Sequence, residues 1–307
     1  MLKKYLRGQD IARWAPQWAG EWLILLASSS DRAWAWANTT SEEEAERVFA
    51  KSFPALHAHM KLLEPRLRMR SDQGRFWWEL RSCAYYGAFE QPKLVWKDIS
   101  FHPEFARDLE GSYTNDLCFI FPREDLWLLA VMNSPAMWAW LWRNTLHGKD
   151  EALRLKSVYL AHAPIPRANA VLSDLTAGAV HAATEGVRAC QTAIAAVLDV
   201  LGVEYEIDKP GDALSDPGSL TSDAFVAEVK KRRPKKKPLT SAALTHLREL
   251  HASEIEPMQA RQSVIRDLEY KVAAEVHRAY GLTPEDEALL WDTAPPRMPV
   301  GRPKPAT

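Results

Sequence analysis

Hydrophobic and polar positions alternate through residues 75–81, Arg-Phe-Trp-Trp-Glu-Leu-Arg. The alternation places Phe76, Trp78 and Leu80 on one side of an extended chain, which is the period of a half-buried strand. The opposite side then carries Arg75, Trp77, Glu79 and Arg81. We therefore predict a strand at 75–81, and two further strands at 93–99 and 117–121.

Helix signals surround these strands. At 41–51, Ser41 and Glu44 have the spacing of a capping box, in which each residue satisfies a backbone N–H of the other. Two more helices are predicted at 124–133 and 135–144. The fold class predicted for this part is α/β (mixed), with a mixed β-sheet flanked by helices.

The second half of the chain has a helical pattern. Residues 173–201 are rich in Ala, Val and Leu, with Ser173 as the expected N-cap and Gly202 as the expected stop. A second helical block is predicted at 242–280, broken near Pro257 and ended by Gly281. Its buried stripe is predicted from the spacing of Ile265, Leu268, Val272 and Val276. A short helix is expected from Thr283, so that a mostly α-helical region follows the α/β part.

Proline and glycine interrupt this helical half. Residues 206–238 contain four prolines and two glycines and then a basic run, and we expect a mobile linker there. The tail is rich in proline and is expected to be disordered. The predicted organisation is a mixed α/β domain at 1–166, a long spacer helix at 167–205, a basic linker at 206–238, a helical region at 239–292 and a disordered tail at 293–307.

Composition limits the choice of partners and compartment. The 307 residues carry a formal net charge of only −1, so a nucleic-acid surface would have to be a local patch. Three separated cysteines form no CxxC pair, which argues against a zinc site or a disulfide framework and favours a reducing compartment. The apolar run at 22–27 is too short for a signal peptide or a membrane span. We expect a cytoplasmic protein without membrane partners.

The segment 70–100 mixes guanidinium, amide, carboxylate and aromatic groups densely. Arg can fork onto guanine and Gln onto adenine, so such a surface can discriminate DNA sequence. From the residues alone, a solvated edge of the sheet is an equal alternative. The candidate DNA-binding residues are Arg68, Arg70, Gln73, Arg75, Arg81, Lys93 and Lys97. Possible phosphate contacts, with a solvated linker as the alternative, are Lys230, Lys231, Arg232, Arg233, Lys235, Lys236 and Lys237.

Catalytic and metal patterns are weak. Asp212 with Glu228 and Lys230 has the order of a nuclease site, but acid-x-Lys triplets arise by chance in a charged chain. His57 and His59 lie two residues apart on a predicted helix and face different sides, which favours surface histidines over a metal pair. The tryptophans Trp138, Trp140 and Trp142 could stack on bases, but their apolar neighbours favour a place in the core.

Several phrases of the chain, taken together and in order, resemble the TaqI-like C-terminal specificity domain of Type IIG restriction-modification enzymes and related adenine-specific DNA methyltransferases. The resemblance covers about 1–166. The phrases are Tyr5-Leu6-Arg7-Gly8-Gln9-Asp10-Ile11 with Arg13-Trp14, Phe53-Pro54-Ala55-Leu56, Trp77-Trp78-Glu79-Leu80-Arg81, residues 89–100 and 128–134, and Ala163-Pro164-Ile165-Pro166.

This resemblance implies a protein arm that lies along double-stranded DNA and gives sequence specificity to a methyltransferase, which flips an adenine and methylates its N6 atom. The chain shows no GxG cofactor loop and no Asn-Pro-Pro-aromatic signature; its nearest phrase, Asn133-Ser134-Pro135-Ala136, is predicted to be a turn between two helices. S-adenosylmethionine is therefore expected in a catalytic partner or a missing N-terminal part. The alternatives are a non-catalytic interaction module or remnant that binds a methyltransferase without reading DNA, and an enzyme of unrecognised type.

Overall fold

A computed structural model describes residues 1–234 and 238–303. Its strands form three small sheets, in the orders β2-β1-β6, β5-β3-β7 and β4-β9-β8. All neighbouring strands are antiparallel except the pair β1 and β6, which is parallel. The strands are β1 Leu2–Leu6, β2 Trp22–Ile24, β3 Lys93–Lys97, β4 Ile99–Ser100, β5 Ala106–Asp108, β6 Tyr113–Thr114, β7 Cys118–Phe121, β8 Leu146–His147 and β9 Leu153–Arg154.

Helices make up most of the rest of the described chain, and the last part of the chain is almost entirely helical. The mixed α/β class and the helical C-terminal region are thus confirmed. The helices are α1 Glu42–Ser52, α2 Pro54–Arg68, α3 Tyr86–Phe89, α4 Leu126–Met132, α5 Pro135–Asn144, α6 Ser157–Leu160, α7 Ala170–Tyr205, α8 Gly211–Ser215, α9 Ser222–Arg232, α10 Ser241–Leu250, α11 Glu256–Tyr280 and α12 Pro284–Asp292.

Local capping signals locate several helices correctly. Ser41 caps α1 by accepting from the backbone N–H of Glu44, although the Glu44 carboxylate reaches back to Thr40 instead of completing a capping box with Ser41. Ser134 caps α5, and the buried Asn133 side chain holds the backbone of Phe105 through two hydrogen bonds. The phrase at 133–136 is therefore a structural turn, as predicted.

The predicted strand at 75–81 is wrong. The segment turns back on itself, so that the backbone N–H of Gly74 donates to the carbonyl of Glu79. Phe76, Trp77 and Trp78 are all buried, which an alternating strand with one solvated face does not allow. The physical cause is Glu79, whose carboxylate accepts from backbone N–H groups of the same segment and thereby replaces a strand ladder.

The predicted linker at 206–238 contains two helices, α8 and α9, in its described part. Proline and glycine mark helix ends there: Gly211 begins α8 with φ +69°, and Pro234 follows the end of α9. Phe225 and Val229 on α9 are fully buried, so this segment contributes to a core. The long helix α7 also extends beyond the predicted 173–201, because it continues through Gly202 to Tyr205 and is capped by Glu206.

The tail is ordered against the protein as far as residue 303, contrary to the prediction of disorder. The indole Nε1 of Trp138 donates to the carbonyl of Pro296 at 3.0 Å, and Val300 is buried. Proline cannot extend a helix, but its carbonyl remains a good acceptor. The C-terminal segment therefore covers part of α5.

Four buried clusters organise the described residues, and the smallest of them consists of Ile11, Val95, Ala106 and Cys118. The largest takes Trp14, Leu94 and Trp138 from the first part of the chain, and Val180 of α7 and Val272 of α11 from the second part. A second cluster lies within the helical region, and an aromatic cluster lies between α1, α2 and the segment around residue 77. Because the largest core draws on both parts, they pack as neighbours through shared side chains.

A buried junction joins the same two parts. The carboxylate of Glu269 on α11 accepts from Arg13 Nε and from Trp14 Nε1, both at 2.6 Å. Burial lowers the pKa of the Arg13 guanidinium, and the charge of Glu269 opposes that shift. The Trp14 backbone has φ +73°, an uncommon conformation for a bulky residue, and is held by hydrogen bonds to Phe105 and Arg107.

Among the described residues one helix, α7, is long and apolar enough to cross a membrane by length and composition. One such helix is weak evidence for a membrane span, and 17% of its most apolar stretch is buried in the fold. In this fold α7 packs against α4 and α11 and buries Val180, Ala183 and Leu201.

Candidate nucleic-acid interface

Three of the predicted base-reading side chains donate to backbone carbonyls of the protein. Arg70 donates to the carbonyls of Trp77 and Glu79 at 2.9 and 2.8 Å. Gln73 donates to Arg68 and Arg70, and Arg75 donates to Ala37 and Thr39. These donors hold the turns around the aromatic cluster. Base contacts by Arg70, Gln73 and Arg75 stay a prediction that would require these bonds to break.

Lys93 and Lys97, which were predicted to contact DNA, are less accessible than expected. Lys93 is completely buried, with Nζ 2.5 Å from Asp108 and 2.8 Å from the carbonyl of Phe89. The prediction that Lys93 contacts DNA is therefore wrong for this structure, since a buried paired ammonium does not reach a ligand. Lys97 is half-buried and pairs with Glu104 at 2.6 Å.

The two remaining candidates in this part of the chain are exposed. Arg68 is engaged by Glu42 and Glu64 at 2.6 and 2.8 Å, so its charge is already neutralised locally. Arg81 makes no side-chain hydrogen bond or ion pair with any residue that the structure describes. Of the seven candidates predicted here, Arg81 is thus the one whose guanidinium group is available.

The structure places Arg81 beside a loop that the sequence did not single out. We call residues 28–32 together with 81–90 the two-loop surface. The Asp31 carboxylate joins its halves, accepting from Ser82 Oγ at 2.5 Å and from the backbone N–H of Cys83 at 2.8 Å. Arg32 in the first loop is exposed, with its guanidinium 4.4 Å from the ring centroid of Trp34. Arg32 and Arg81 therefore project from two loops that are tied together.

Glu79 fixes the base of this surface. Its buried carboxylate accepts from Trp36 Nε1 at 2.8 Å, from the backbone N–H of Arg75 at 2.9 Å and from Ser29 Oγ at 3.3 Å. Ser29 belongs to one loop, and Glu79 stands two residues before the other. A carboxylate with several such donors is a rigid joint, because losing any one leaves a buried polar group unsatisfied.

Aromatic side chains line the same surface. Tyr85 is 57% exposed at its edge. Burial, with smaller effects of Cys83 and Asp31, raises the pKa of Tyr86 to about 12, so its phenol stays protonated at neutral pH and donates to the carbonyl of Arg81. Arg32 and Tyr85 were missed by the sequence reasoning. The signal available was the Ser-Ser-Ser-Asp-Arg stretch at 28–32, a loop composition directly after an apolar run.

A second basic surface lies at the end of α9. Lys231 and Arg232 pair with Glu228 at 3.1 and 2.9 Å, and these hydrogen bonds, Arg232 first, lower the pKa of that carboxyl. Lys230 is exposed and makes no ion pair within the described residues, whereas Arg233 has a contact in the protein. Lys235, Lys236 and Lys237 lie outside the described residues.

Two of the side chains considered for catalysis, Glu228 and His57, contact other residues of the protein. Glu228 of the nuclease-like order is held by its two cations, as above. His57 lies 3.0 Å from Glu46, and His59 is exposed. In residues 1–234 and 238–303 no group of three or more His, Cys, Asp or Glu side chains could hold a metal ion. Trp138 is fully buried and Trp140 and Trp142 pack on the same core, as predicted.

Comparison with protein families identifies two matched regions in the chain. Residues 3–165 match the TaqI-like C-terminal specificity domain, and residues 173–276 match a domain of unknown function (DUF8810). The fold and the matched domain define a DNA target-recognition protein of restriction-modification systems. The first match covers more than half of the chain, and the chain therefore belongs to the TaqI-like C-terminal specificity domain family. No curated protein matches it.

Proposed function

We propose that this chain reads the DNA target of an adenine-N6 methyltransferase in a Type IIG-like restriction-modification system. It acts either as a separately encoded specificity subunit or as the C-terminal part of the enzyme. S-adenosylmethionine and the methyl-transfer chemistry belong to the catalytic partner. The site of action is the cytoplasm, where a prokaryotic defence enzyme meets its DNA.

The two-loop surface supports this proposal most directly. Arg32 and Arg81 are exposed guanidinium groups without ion pairs in the described chain, on loops that Asp31 and Glu79 hold together. An arginine fork recognises guanine O6 and N7 in the major groove, and a preorganised side chain loses little entropy on binding. The surface thus presents two guanidinium groups on loops whose backbone is held in place.

The exposed end of α9 is assigned a different role. Lys230 is exposed and makes no ion pair within the described residues, and its ammonium group is a point charge without the planar fork that reads a base edge. Contacts with phosphate need only charge and reach, and they add affinity without sequence information. In the proposal this end of α9 contributes to general DNA affinity.

The test is selection on a randomised DNA library, with the chain assembled with its catalytic partner. Arg81→Ala and Arg32→Ala should each weaken cognate binding by about 1–3 kcal/mol per lost base contact and relax the selected motif at one position. The matched control is Arg266→Ala, an exposed arginine of α11 with no ion pair within the described chain. It should leave the motif unchanged.

The alternative function predicts a different result in the same experiment. A module that binds a methyltransferase without reading DNA would select no motif in any variant. If a motif is selected but both loop variants retain it, DNA reading occurs outside the two-loop surface.

A further inference from the structure

A pocket of about 550 Å³ opens within the two-loop surface. Its lining includes Lys3 of β1, Arg32 of the first loop, Tyr86 and Gly87 of α3, and Tyr113 of β6. Leu25, Ala27 and Ala84 supply apolar atoms. The pocket is therefore a concave space with two phenol rings, an apolar part and cations in its wall.

The walls of this pocket are held by internal hydrogen bonds. The Glu90 carboxylate accepts from Tyr113 Oη at 2.7 Å and from Lys3 Nζ at 2.8 Å. Both oxygens of the Asp31 carboxylate accept hydrogen bonds from the second loop, one from Ser82 and one from Cys83. Both carboxylates are thus committed to the protein, and Arg32 is the lining cation without an ion pair among the described residues.

A second cleft differs in this respect. It measures about 350 Å³ and lies between β1 and α7. Its cations are neutralised, since Lys4 pairs with Glu110 and Arg188 pairs with Glu185. It therefore offers no unpaired charge to an anionic ligand within the described chain.

We propose that the 550 Å³ pocket takes one nucleotide of DNA that is turned out of the base stack. Base edges in an intact groove are read by side chains that project into the groove, whereas a concave pocket accepts a group that leaves the helix. The half-buried ring of Tyr86 is the one on which a base can stack, because Tyr113 is 3% exposed and its ring already stacks on Phe89. The nearby Arg32 guanidinium group can neutralise the attached phosphate. This inference rests on the proposed function, because it names the ligand of the same surface.

Gly87 allows a test that adds bulk without removing a contact. A Cβ atom at Gly87 would meet no heavy atom within 4 Å, and the residue has no left-handed backbone. Gly87→Leu therefore fills pocket space while the hydrogen bonds of Asp31 and Glu90 remain. The matched control is Gly178→Leu on α7, where a Cβ atom also meets nothing within 4 Å.

The experiment measures fluorescence anisotropy with three labelled probes of one sequence: a fully paired duplex, the same duplex with a central unpaired thymine, and the single strand. An unpaired base costs least to unstack, so the wild-type chain should bind the unpaired duplex about tenfold more tightly than the paired one. Gly87→Leu should remove this preference, so that the variant binds the two duplexes with equal affinity. Gly178→Leu should keep the preference, and thermal melts verify that both variants fold.

The outcomes separate this inference from the proposed function. Equal wild-type affinity for the two duplexes, with a motif still selected from the library, overturns the pocket assignment alone. A preference that survives Gly87→Leu also overturns it. If Gly87→Leu weakens only the binding of the single strand, the pocket does not take a nucleotide turned out of a duplex, and the inference is overturned in the same way. Failure to bind any probe or to select a motif overturns both.

Discussion

Replacing Glu269 tests how strongly the two matched regions depend on each other. Its carboxylate is 13% exposed and serves Arg13, which is 18% exposed, together with the indole of Trp14. Glu269→Ala leaves a largely buried guanidinium without its counter-charge, which costs about 3–5 kcal/mol of unfolding free energy. Glu269→Gln keeps an oxygen acceptor and should cost about 1.5–3 kcal/mol, the worth of a charged hydrogen bond.

Urea denaturation followed by tryptophan fluorescence measures both variants, because twelve of the thirteen tryptophans lie in the first half of the chain. The control is Glu275→Ala on the same helix, whose partner Arg278 is 63% exposed. That pair should contribute about 0–1 kcal/mol. A Glu269→Ala cost no larger than the control would refute the argument that this carboxylate stabilises the junction. A biphasic transition would show that it couples two separately unfolding parts.

The remaining predictions concern four other contacts. Lys93→Met removes the counter-charge of the buried Asp108 carboxylate and should lower the free energy of unfolding in urea by about 3–5 kcal/mol. The affinity of the folded protein for DNA should not change, and a specific loss of that affinity would identify Lys93 as a DNA contact. Glu79→Gln places an amide N–H group beside groups that are themselves donors and should lower the free energy of unfolding by about 1–3 kcal/mol. Unchanged stability together with an unchanged DNA motif would contradict the role of Glu79 in holding the two loops together. Burial lowers the pKa of His277 despite the opposing charge of a nearby glutamate. The unfolded state therefore binds the proton more readily, and the free energy of unfolding should fall as pH drops below about 6.5. His277→Asn should make the free energy of unfolding less dependent on pH in that range, and an unchanged dependence would exclude His277 as its cause. Lys230→Ala should lower the salt dependence of DNA binding by about 0.9 per lost phosphate contact, whereas an unchanged slope assigns Lys230 to a solvated surface.

The sequence predicted those elements whose signals are local. Ser134 and Pro135 begin α5, Thr283 caps α12, and the stripe that includes Val272 is buried along α11. Each of these features depends on residues that are close in sequence. Helix-capping residues and the spacing of apolar residues predict such local features well.

The errors have long-range causes. The Glu79 carboxylate, which binds backbone N–H groups of its own segment, is also held by the Trp36 indole 43 residues away. Lys93 is buried because Asp108 stands opposite it on the neighbouring strand. Nothing local distinguishes these two charged residues from solvated ones. For the candidate interface, Arg81 was found from composition, whereas Arg32 needed the fold that brings residue 31 against residues 82 and 83.

The contact of Trp14 with Glu269 also constrains how the chain is made. The two residues are separated by 255 positions, and the carboxylate emerges from the ribosome long after the indole. At about 5–20 residues per second, translation leaves that indole without its partner for roughly 10–50 s. During translation the recognition domain would therefore remain incompletely packed until α11 has been synthesised. Slow codons or a chaperone in that interval should affect the yield of native protein more than they would for a domain whose contacts are local.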